Sequence, residues 1–304
     1  MTQRRVLITG GEGFVGSNLI EYLLKNTNYK IYSISRNLIK KYQSDRFVSI
    51  AHDMLKEFND IHVLQLKDID YIVHLAGASC VGNSFLNPLK TIKDNIILTS
   101  NFLEFARLNM LKLKKILFLS TAESFGPSWK NNKFKEEDCY SPHSPYAATK
   151  AAISEICIGY NKSYNLPVIV IHVMNIYGKN QSENKFIPKI IKMIQEEKTI
   201  VLHANDGPDV RNYLHIDDIC DAITYLLING RSGEKYNLIS DAYTNNLEIS
   251  SIIAKIMNKK LKYNLVSSDR HHTLTLLDGK KIRDLGWSSS IPLQKGLEMV
   301  INEE

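Results

Sequence analysis

Thr9-Gly10-Gly11-Glu12-Gly13-Phe14-Val15-Gly16 stands between an apolar run, Arg5–Thr9, and an amphipathic run that begins at Phe14. Its glycines at 10, 13 and 16 have the spacing of a loop that binds a dinucleotide. Gly10 permits the sharp turn, Gly13 lets the backbone reach a pyrophosphate, and Gly16 lets helix and strand pack closely. The phosphates would lie on the free N–H groups at the positive end of the helix. The order strand, loop, helix therefore predicts a dinucleotide site at residues 10–16.

The pattern of the first two-thirds of the chain predicts a doubly wound α/β fold. Amphipathic stretches such as residues 14–25 separate short apolar runs that are predicted strands: Arg5–Thr9, Lys30–Ser35, Phe47–Ala51, residues 71–75, residues 115–120 and Val168–Val173. Strands that alternate with helices form right-handed βαβ units. We therefore expect a parallel Rossmann sheet that is buried on both faces.

From about residue 177 this alternation stops, although residues 185–197 and 217–228 are predicted helices and residues 235–239 a predicted strand. We expect a dinucleotide-binding Rossmann domain over residues 1–175, which also receives approximately residues 212–240. Residues 176–304 would form mainly a smaller C-terminal lobe that binds the substrate. A cleft between the two is the expected ligand site.

Composition excludes several classes of protein. The net charge of +6 comes from basic residues spread along 304 residues, without the basic stripe of a nucleic-acid binder. The four cysteines have neither metal-type nor redox-type spacing, which indicates a reducing compartment and no metal site: Cys80, Cys139, Cys157 and Cys220. No segment approaches the roughly 20 apolar residues of a membrane span, and no signal-peptide core follows Met1. We expect a cytoplasmic protein that binds neither nucleic acid nor membrane.

The second predicted strand ends at Ser33-Ile34-Ser35-Arg36-Asn37, where an NAD-binding protein usually carries an acid for the adenosine ribose. No carboxylate follows until Asp45. Arg36 offers a permanent, forked positive charge that suits a 2′-phosphate, so we expect NADP, with NAD as the alternative if Arg36 is only a solvated loop residue. Asp53 and Met54 follow the third strand, where an acid would accept a hydrogen bond from the adenine amino group.

The segment Ser144-Pro145-Tyr146-Ala147-Ala148-Thr149-Lys150 has the pattern of a helix start, with Ser144 as N-cap and Pro145 as first helical residue. Tyr146 and Lys150 are then neighbours on one helix face. We expect the Lys150 ammonium to depress the pKa of Tyr146 and make it a proton shuttle near neutral pH. Thr121 follows the fifth predicted strand, at the sheet edge where ligands bind in such folds, and its hydroxyl would contact the reacting oxygen. Ser120 is the alternative.

Together these motifs resemble the extended short-chain dehydrogenases in order and spacing. The segments that carry the resemblance are the glycine loop, His74-Leu75-Ala76-Gly77, residues 120–126, Tyr146-x-x-x-Lys150 and Asn175-Ile176-Tyr177-Gly178. More narrowly, the chain resembles the NAD-dependent epimerase/dehydratase family, which acts on nucleotide-sugars. The similarity runs nearly end to end, since later segments also match: Lys185-Phe186-Ile187-Pro188, Arg211-Asn212-Tyr213-Leu214-His215-Ile216-Asp217-Asp218 and Leu285-Gly286-Trp287.

This resemblance implies that Thr121, Tyr146 and Lys150 form a catalytic triad. Tyr146 would remove the hydroxyl proton at carbon 4 of the sugar while a hydride passes to the nicotinamide. The cofactor site would include, beside the glycines, Tyr146 and Lys150, the residues Phe14, Val15, Leu75, Ala76 and Gly77. The nucleotide-sugar site would consist of Ser79, Thr121, Asn175, Lys185, Phe186 and Arg211. Family members usually dimerise through the helix that carries Tyr146 and the helix before Ser120, so we expect a homodimer.

Two residues bear on the reaction type. Arg211 would meet the diphosphate, unless it forms a structural ion pair with Asp217 or Asp218. Glu123 matches the base that takes the proton at carbon 5 in 4,6-dehydratases, although related decarboxylases also carry it. Its neighbour Ala122 lacks the side chain often found in dehydratases, which favours a 4-epimerase or an NADPH-dependent 4-keto-sugar reductase. A solvated Glu123 and a catalytically silent NADP-binding module are the remaining alternatives.

Overall fold

The computed structural model describes residues 3–128, 132–204, 210–241, 243–267 and 275–303. Its strands are β1 Arg5–Thr9, β2 Lys30–Ser35, β3 Phe47–Ala51, β4 Tyr71–His74, β5 Lys115–Leu119, β6 Val168–Val173, β7 Asn175–Tyr177, β8 Ile200–Ala204, β9 Arg211–His215, β10 Lys235–Leu238, β11 Tyr243–Thr244 and β12 Tyr263–Ser267. Six of them form at the places that the apolar runs predict, and β4 and β5 end one residue earlier than expected.

Helices cover the sheet on both sides. They are α1 Phe14–Asn26, α2 Asp60–Leu66, α3 Val81–Leu86, α4 Pro88–Ile92, α5 Leu98–Asn109, α6 Pro145–Tyr164, α7 Phe186–Gln195, α8 Ile216–Asn229, α9 Asn246–Ile256, α10 Lys280–Asp284 and α11 Leu293–Glu303. A π-helical segment, Lys93–Ile97, joins α4 to α5, and a 3₁₀ helix, Ala122–Phe125, follows β5.

Seven parallel strands form the central sheet in the order β10-β6-β5-β4-β1-β2-β3. The chain starts in the middle with β1, winds to one edge through β2 and β3, and returns to wind the other way. This is the predicted Rossmann architecture, and it is confirmed. Apolar side chains of β1 show why the strand is buried on both faces, because Leu7 packs in one hydrophobic cluster and Val6 and Ile8 in the other.

The strands outside this sheet lie mostly in the C-terminal part. β7, β9 and β11 form a three-stranded sheet, and β8 pairs with β12 in parallel. A separate hydrophobic cluster holds α7, β8, α9 and α11 together through Ile191, Leu202, Ile253 and Leu297. β10, in contrast, joins the central sheet beside β6, so the chain crosses back to the Rossmann part before it reaches α9.

The Leu285-Gly286-Trp287 motif fastens the end of α10 to the Rossmann helices. Trp287 is buried, and its indole N–H donates to one carboxylate oxygen of Asp221 on α8 at 2.8 Å. The Tyr22 hydroxyl of α1 donates to the other oxygen at 2.9 Å. One carboxylate therefore joins α1, α8 and the segment after α10. In the part of the chain that the structure describes, no helix has the length and apolar character to cross a bilayer.

Candidate active site

A cavity of about 720 Å³ opens at the carboxyl ends of the central strands. Most residues of the expected cofactor site line it: Gly10, Gly13, Arg36, Asp53, Met54, Leu75, Ala76, Gly77 and also Ser79. Phe14, Val15 and Gly16 lie directly behind, in the first turn of α1, with Gly13 as the N-cap. The free N–H groups of α1 therefore belong to the same site, where they suit phosphate oxygens.

The two ends of the glycine loop have no space for side chains. A Cβ at Gly16 would lie 2.3 Å from the Gly10 carbonyl oxygen, and one at Gly10 would lie 2.9 Å from the Ala76 amide nitrogen. Gly10 also has φ +73°, in the left-handed region that favours glycine. This close approach of β1, α1 and the loop after β4 is the geometry that a dinucleotide pyrophosphate needs, so the residues present fit a nicotinamide dinucleotide.

A buried histidine holds the loop after β4 in place. The Thr9 hydroxyl accepts hydrogen bonds from the backbone N–H groups of Leu75 and Ala76, both at 3.1 Å. The Thr9 hydroxyl therefore donates its hydrogen to His74 Nδ1 at 2.9 Å. His74 Nε2 then carries the ring proton and donates to the Thr99 hydroxyl at 3.0 Å. Burial lowers the pKa of His74 to about 3, which keeps the ring neutral. Thr9 and His74 thus position cofactor-site residues that the glycine motif alone does not reveal.

The helix start predicted at Ser144 is confirmed. The Ser144 hydroxyl accepts from the Ala147 amide at 3.1 Å, and Pro145 occupies the first position of α6. Tyr146 consequently lies at the beginning of α6, beside the end of β5, where the Thr121 side chain lowers its pKa. Thr121 is buried and caps the 3₁₀ helix by accepting from the Glu123 amide at 3.3 Å. Ser120, the alternative to Thr121, is buried and pairs with Ser154 at 2.9 Å instead.

The expected effect of Lys150 on Tyr146 is wrong for this structure. Burial raises the pKa of Tyr146, the charge of Glu123 raises it further, and only the Thr121 hydrogen bond lowers it. Lys150 Nζ donates to the Leu119 carbonyl at 2.9 Å and lies 4.8 Å from the centre of the Phe118 ring. Burial lowers the pKa of Lys150 itself to about 8. Spacing along a helix predicted the neighbours, but Lys150 is not among the groups that shift the pKa of Tyr146, and burial has the largest effect on both residues.

Glu123 lies among charged groups that come from distant parts of the chain. Partial desolvation raises the pKa of its carboxyl, and the positive charges of Arg211 and Lys185 oppose that rise. Lys185 is the N-cap of α7 and Arg211 begins β9. The structure therefore brings the three charged residues together next to Tyr146, although at least 26 residues separate any two of them in sequence.

The alternative partners proposed for Arg211 have other contacts. Asp218 accepts hydrogen bonds from the Ser290 amide and hydroxyl at 3.0 and 2.9 Å and from the Ile291 amide at 3.1 Å. Asp217 lies 3.8 Å from His215 Nδ1. The charge of Arg211 acts on Glu123, where it opposes the rise of the carboxyl pKa.

Further expected substrate residues lie on the C-terminal side. Asn175, in β7, is half-buried and donates to the Asn212 carbonyl at 3.2 Å. Phe186, the first residue of α7, packs half-buried on the hydrophobic cluster of the lobe. Among the described residues, Thr121, Tyr146 and Lys150 do not line the cofactor cavity.

Asn95 connects the two halves of the site and escaped the sequence reasoning. It lies in the π-helical segment and is buried. Its side-chain oxygen accepts from the Ala78 amide at 2.7 Å, and its Nδ2 donates to the Thr149 hydroxyl at 2.8 Å. Thr149 in turn donates to the Tyr146 carbonyl at 2.7 Å. A polar residue within an apolar helical run was the available signal, and π-helical segments are often found at functional sites.

A sequence profile of the NAD dependent epimerase/dehydratase family matches residues 6–238. The chain belongs to this family. It is 34% identical to the dTDP-D-glucose 4,6-dehydratase of Dictyostelium discoideum over 83% of its own length and 62% of that relative's length. It also spans about half the length of three trifunctional relatives from Arabidopsis thaliana.

Two solved structures extend the comparison. The dTDP-glucose 4,6-dehydratase of Bacillus anthracis in complex with NAD is 29% identical, has a TM-score of 0.86, and matches 98% of this chain and 96% of that one. The UDP-glucuronic acid 4-epimerase of Bacillus cereus, in complex with UDP-glucuronic acid and NAD, is 27% identical with a TM-score of 0.87, and 98% of each chain is covered. Within the described ranges of this chain, no group of three His, Cys, Asp or Glu could hold a metal ion.

Proposed function

We propose that this enzyme oxidises carbon 4 of the sugar in a nucleoside-diphosphate hexose, with a nicotinamide dinucleotide as hydride acceptor. The observation that carries the proposal is one cluster at the carboxyl end of β5, in which Thr121, Tyr146 and Glu123 meet Arg211 and Lys185. Asn95 connects this cluster to the cavity that suits the cofactor, because its buried side chain bonds Ala78 at the cavity and Thr149 on α6. Two cations beside an acid suit a substrate that carries a diphosphate.

The residues divide the chemistry between them. Tyr146 would take the proton from the hydroxyl at carbon 4, and Thr121, whose side chain lowers the pKa of Tyr146, would hold that hydroxyl in line. Lys150, with a pKa lowered to about 8, would orient the nicotinamide ribose through its ammonium group. The cofactor, when bound, accepts a hydride and can return it.

Glu123 favours a 4,6-dehydratase over a 4-epimerase. Partial desolvation raises the pKa of the Glu123 carboxyl and so makes it a stronger base, although the residue keeps an exposed surface. Its charge raises the pKa of Tyr146, so the two groups are within electrostatic reach of each other. In a dehydratase, Glu123 would take the proton at carbon 5 of the 4-keto sugar while the carbon 6 hydroxyl leaves as water. Ala122 is buried in an apolar cluster, so another group must protonate that hydroxyl.

NADP is our proposal for the cofactor. Arg36 lies exposed at the rim of the cavity, beside Ser35, whose hydroxyl donates to the Asn37 carbonyl at 2.6 Å. The end of β2 therefore offers a cation and no carboxylate, which favours a 2′-phosphate over a free 2′-hydroxyl. The matched solved structures contain NAD, so NAD stays the alternative.

A second copy of the chain is the expected partner. Large apolar side chains are exposed in one stretch from α3 to the π-helical segment: Phe85 60%, Leu86 78%, Leu89 80%, Ile92 40% and Ile97 46%. α4 packs against α6, so this face continues onto the helix that carries Tyr146. Phe102, Leu103, Ile153 and Cys157, in contrast, face the core. A Leu89→Glu variant should shift a dimer to a monomer in light scattering.

Cysteines that are all free in the structure fit a cytoplasmic location.

The decisive experiment is mass spectrometry of the sugar product after incubation with UDP- or dTDP-hexoses and either cofactor. A dehydratase gives a product about 18 Da lighter, as loss of water requires, and an epimerase gives a product of unchanged mass. Consumption of NADPH with a 4-keto-6-deoxy sugar would instead establish a reductase. Glu123→Gln should abolish the mass loss but allow oxidation at carbon 4. No turnover of any nucleoside-diphosphate hexose would refute the proposal.

A further inference from the structure

An aromatic cluster lies beneath the 3₁₀ helix that carries Glu123. Phe125, two residues after Glu123, is buried, and its ring centre lies 4.8 Å from His172, 5.0 Å from Tyr140 and 5.3 Å from Phe134. His172 belongs to β6, the neighbour of β5 in the sheet. None of these four rings has a role in the proposed reaction, yet they occupy the space directly under the catalytic turn.

One hydrogen bond links two side chains of this cluster. The Tyr140 hydroxyl lies 2.7 Å from His172 Nε2, and Asn237 of β10 is the register partner of His172. Both N–H groups of the Asn237 amide donate to carbonyls, those of Phe134 and Asp278, at 3.0 and 3.1 Å. Neither the Asn237 side-chain oxygen nor His172 Nδ1 has a hydrogen-bond partner among the described residues, so the bond between the Tyr140 hydroxyl and Nε2 is the one that holds the His172 ring there.

A neutral His172 ring suits the hydrogen bond with the Tyr140 hydroxyl. Burial lowers the pKa of His172 to about 3, and the nearby Lys235 charge lowers it too, while Asn237 opposes the shift. The Glu136 carboxylate, in the loop before α6, accepts a hydrogen bond from the backbone N–H of Asn237 at 2.9 Å. The ring therefore stays uncharged across the pH range in which enzymes work, with one nitrogen as acceptor and one as donor.

The same segment also holds the catalytic turn through its backbone. The Ser141 amide, next to Tyr140, donates to the Ser124 carbonyl at 3.1 Å. Ser124 lies between Glu123 and Phe125, so Tyr140 and His172 fix the turn from below while Ser141 fixes it from the side. A shift of Tyr140 would move Phe125 and Ser141 together, and hence the Glu123 carboxylate relative to Tyr146.

We propose that Tyr140 and His172 are positioning residues for the catalytic turn, and that their hydrogen bond sets where Glu123 stands relative to the substrate. This inference rests on the proposed function. It assigns a role to groups that touch neither cofactor nor substrate, and it separates two parts of the site. The turn is supported from β6 through His172, whereas residues at the ends of β1, β2 and β4 line the dinucleotide cavity.

The test compares Tyr140→Phe, His172→Leu and His172→Gln with the unchanged enzyme. Tyr140→Phe keeps the ring and removes the hydrogen bond, His172→Leu removes the acceptor, and His172→Gln restores an acceptor for the Tyr140 hydroxyl. We expect kcat to fall roughly 10- to 100-fold in the first two, because a displacement of about 1 Å has that cost, and to recover at least partly in the third. The KM for the nucleotide-sugar and the Kd for the cofactor should stay within about twofold.

Tyr160→Phe is the matched control, since the Tyr160 hydroxyl contacts Glu104 away from the site. Unchanged kcat in Tyr140→Phe and His172→Leu would overturn the proposal, as would equal losses of kcat and cofactor affinity. Hydrogen–deuterium exchange gives a readout that needs no turnover. The amides of Ser124 and Gly126, bonded to the Thr121 and Glu123 carbonyls, should exchange faster in Tyr140→Phe. Unchanged exchange overturns the inference even if the proposed reaction is wrong.

Discussion

The cofactor side and the catalytic side of the cleft are built in different ways. At the ends of β1 and β4, the site consists of absent side chains and backbone N–H groups, with Gly10 and Gly16 leaving the space. At the end of β5, it consists of titratable side chains whose pKa values burial has displaced: Tyr146 upward, Glu123 upward and Lys150 down to about 8. One side therefore relies on space, and the other relies on titratable side chains, of which Lys150 is buried and Glu123 is exposed.

This difference has an energetic meaning. A site made of backbone and glycine has little desolvation cost, so changes there act on ligand binding through steric conflict. Burial of the Lys150 ammonium and the Tyr146 phenol lowers the free energy of unfolding, and the same burial makes these groups reactive. Substitutions on the two sides should consequently separate cofactor affinity, turnover and stability from one another.

The largest effect is expected from Tyr146→Phe. Removal of the phenolic hydroxyl removes the proton acceptor, so kcat should fall about 10³-fold, within the usual range for general acid–base groups. Cofactor affinity should stay unchanged, because Tyr146 is not part of the glycine-lined cavity. Steady-state kinetics and fluorescence titration with the cofactor measure the two quantities. A comparable loss of cofactor affinity would show that the two sides are not separable.

Gly16→Ala should have the opposite profile. Its Cβ would lie 2.3 Å from the Gly10 carbonyl oxygen, so the loop must shift. We expect the Kd for the cofactor to rise roughly 100-fold, equivalent to about 3 kcal/mol of overpacking. Gly159→Ala on α6 is the control, since a Cβ there meets no atom within 4 Å. Cofactor binding by Gly16→Ala at the affinity of the control would contradict the close-packed loop.

Lys150→Met should raise stability while it abolishes activity. The folded-state pKa of Lys150, about 8, lies below its ordinary value of 10.5, so the unfolded chain binds more protons between these values. The cost of burying the ammonium is complete below pH 8 and is relieved as the pH rises toward 10.5. This shift corresponds to about 3 kcal/mol, from which the hydrogen bond to Leu119 subtracts about 1 kcal/mol.

Urea unfolding of the cofactor-free protein at pH 7 and pH 9 measures this effect. The advantage of Lys150→Met over the unchanged protein should be larger at pH 7 than at pH 9. Lys162→Met, an exposed position near the end of the same helix, is the control and should change neither value by more than about 0.5 kcal/mol. If the difference in the free energy of unfolding between Lys150→Met and the unchanged protein were the same at both pH values, the burial cost would be disproved.

Arg36→Ser should have the smallest effect, confined to the choice of cofactor. Loss of one exposed guanidinium at the rim should weaken NADPH binding about 10-fold and leave NADH nearly unchanged. The ratio of the two dissociation constants, with Lys40→Ser as an exposed neighbouring control, measures the contribution. A ratio that does not change would favour NAD as the cofactor.

The cofactor side could be predicted from the sequence because its determinants are local. β1, the glycine loop and α1 are consecutive, and four strands, among them β2 and β6, have the predicted bounds. The start of α6 follows equally from Ser144 and Pro145. Strong periodicity and capping signals act over a few residues, so a single sequence contains them.

The catalytic side depends on contacts that sequence spacing does not show. Arg211 and Lys185 reach Glu123 only because β9 and α7 fold back over the end of β5. Asn95 reaches Ala78 and Thr149 from a π-helical segment, which helical periodicity does not predict. The direction of the pKa shift of Tyr146 depends on how much protein surrounds it, and an i, i+4 pattern contains no information about that.

The fluorescence of Trp287 reports on the junction at Asp221, because the Trp287 indole donates to the Asp221 carboxylate. The sequence contains two tryptophans, and the second, Trp129, lies outside the described residues. A Trp129→Phe protein would carry a single buried indole, bonded to the carboxylate that also receives the Tyr22 hydroxyl. Its emission would shift to longer wavelength when the junction opens, so fluorescence would time the separation of α1, α8 and the segment after α10 independently of the loss of the central sheet.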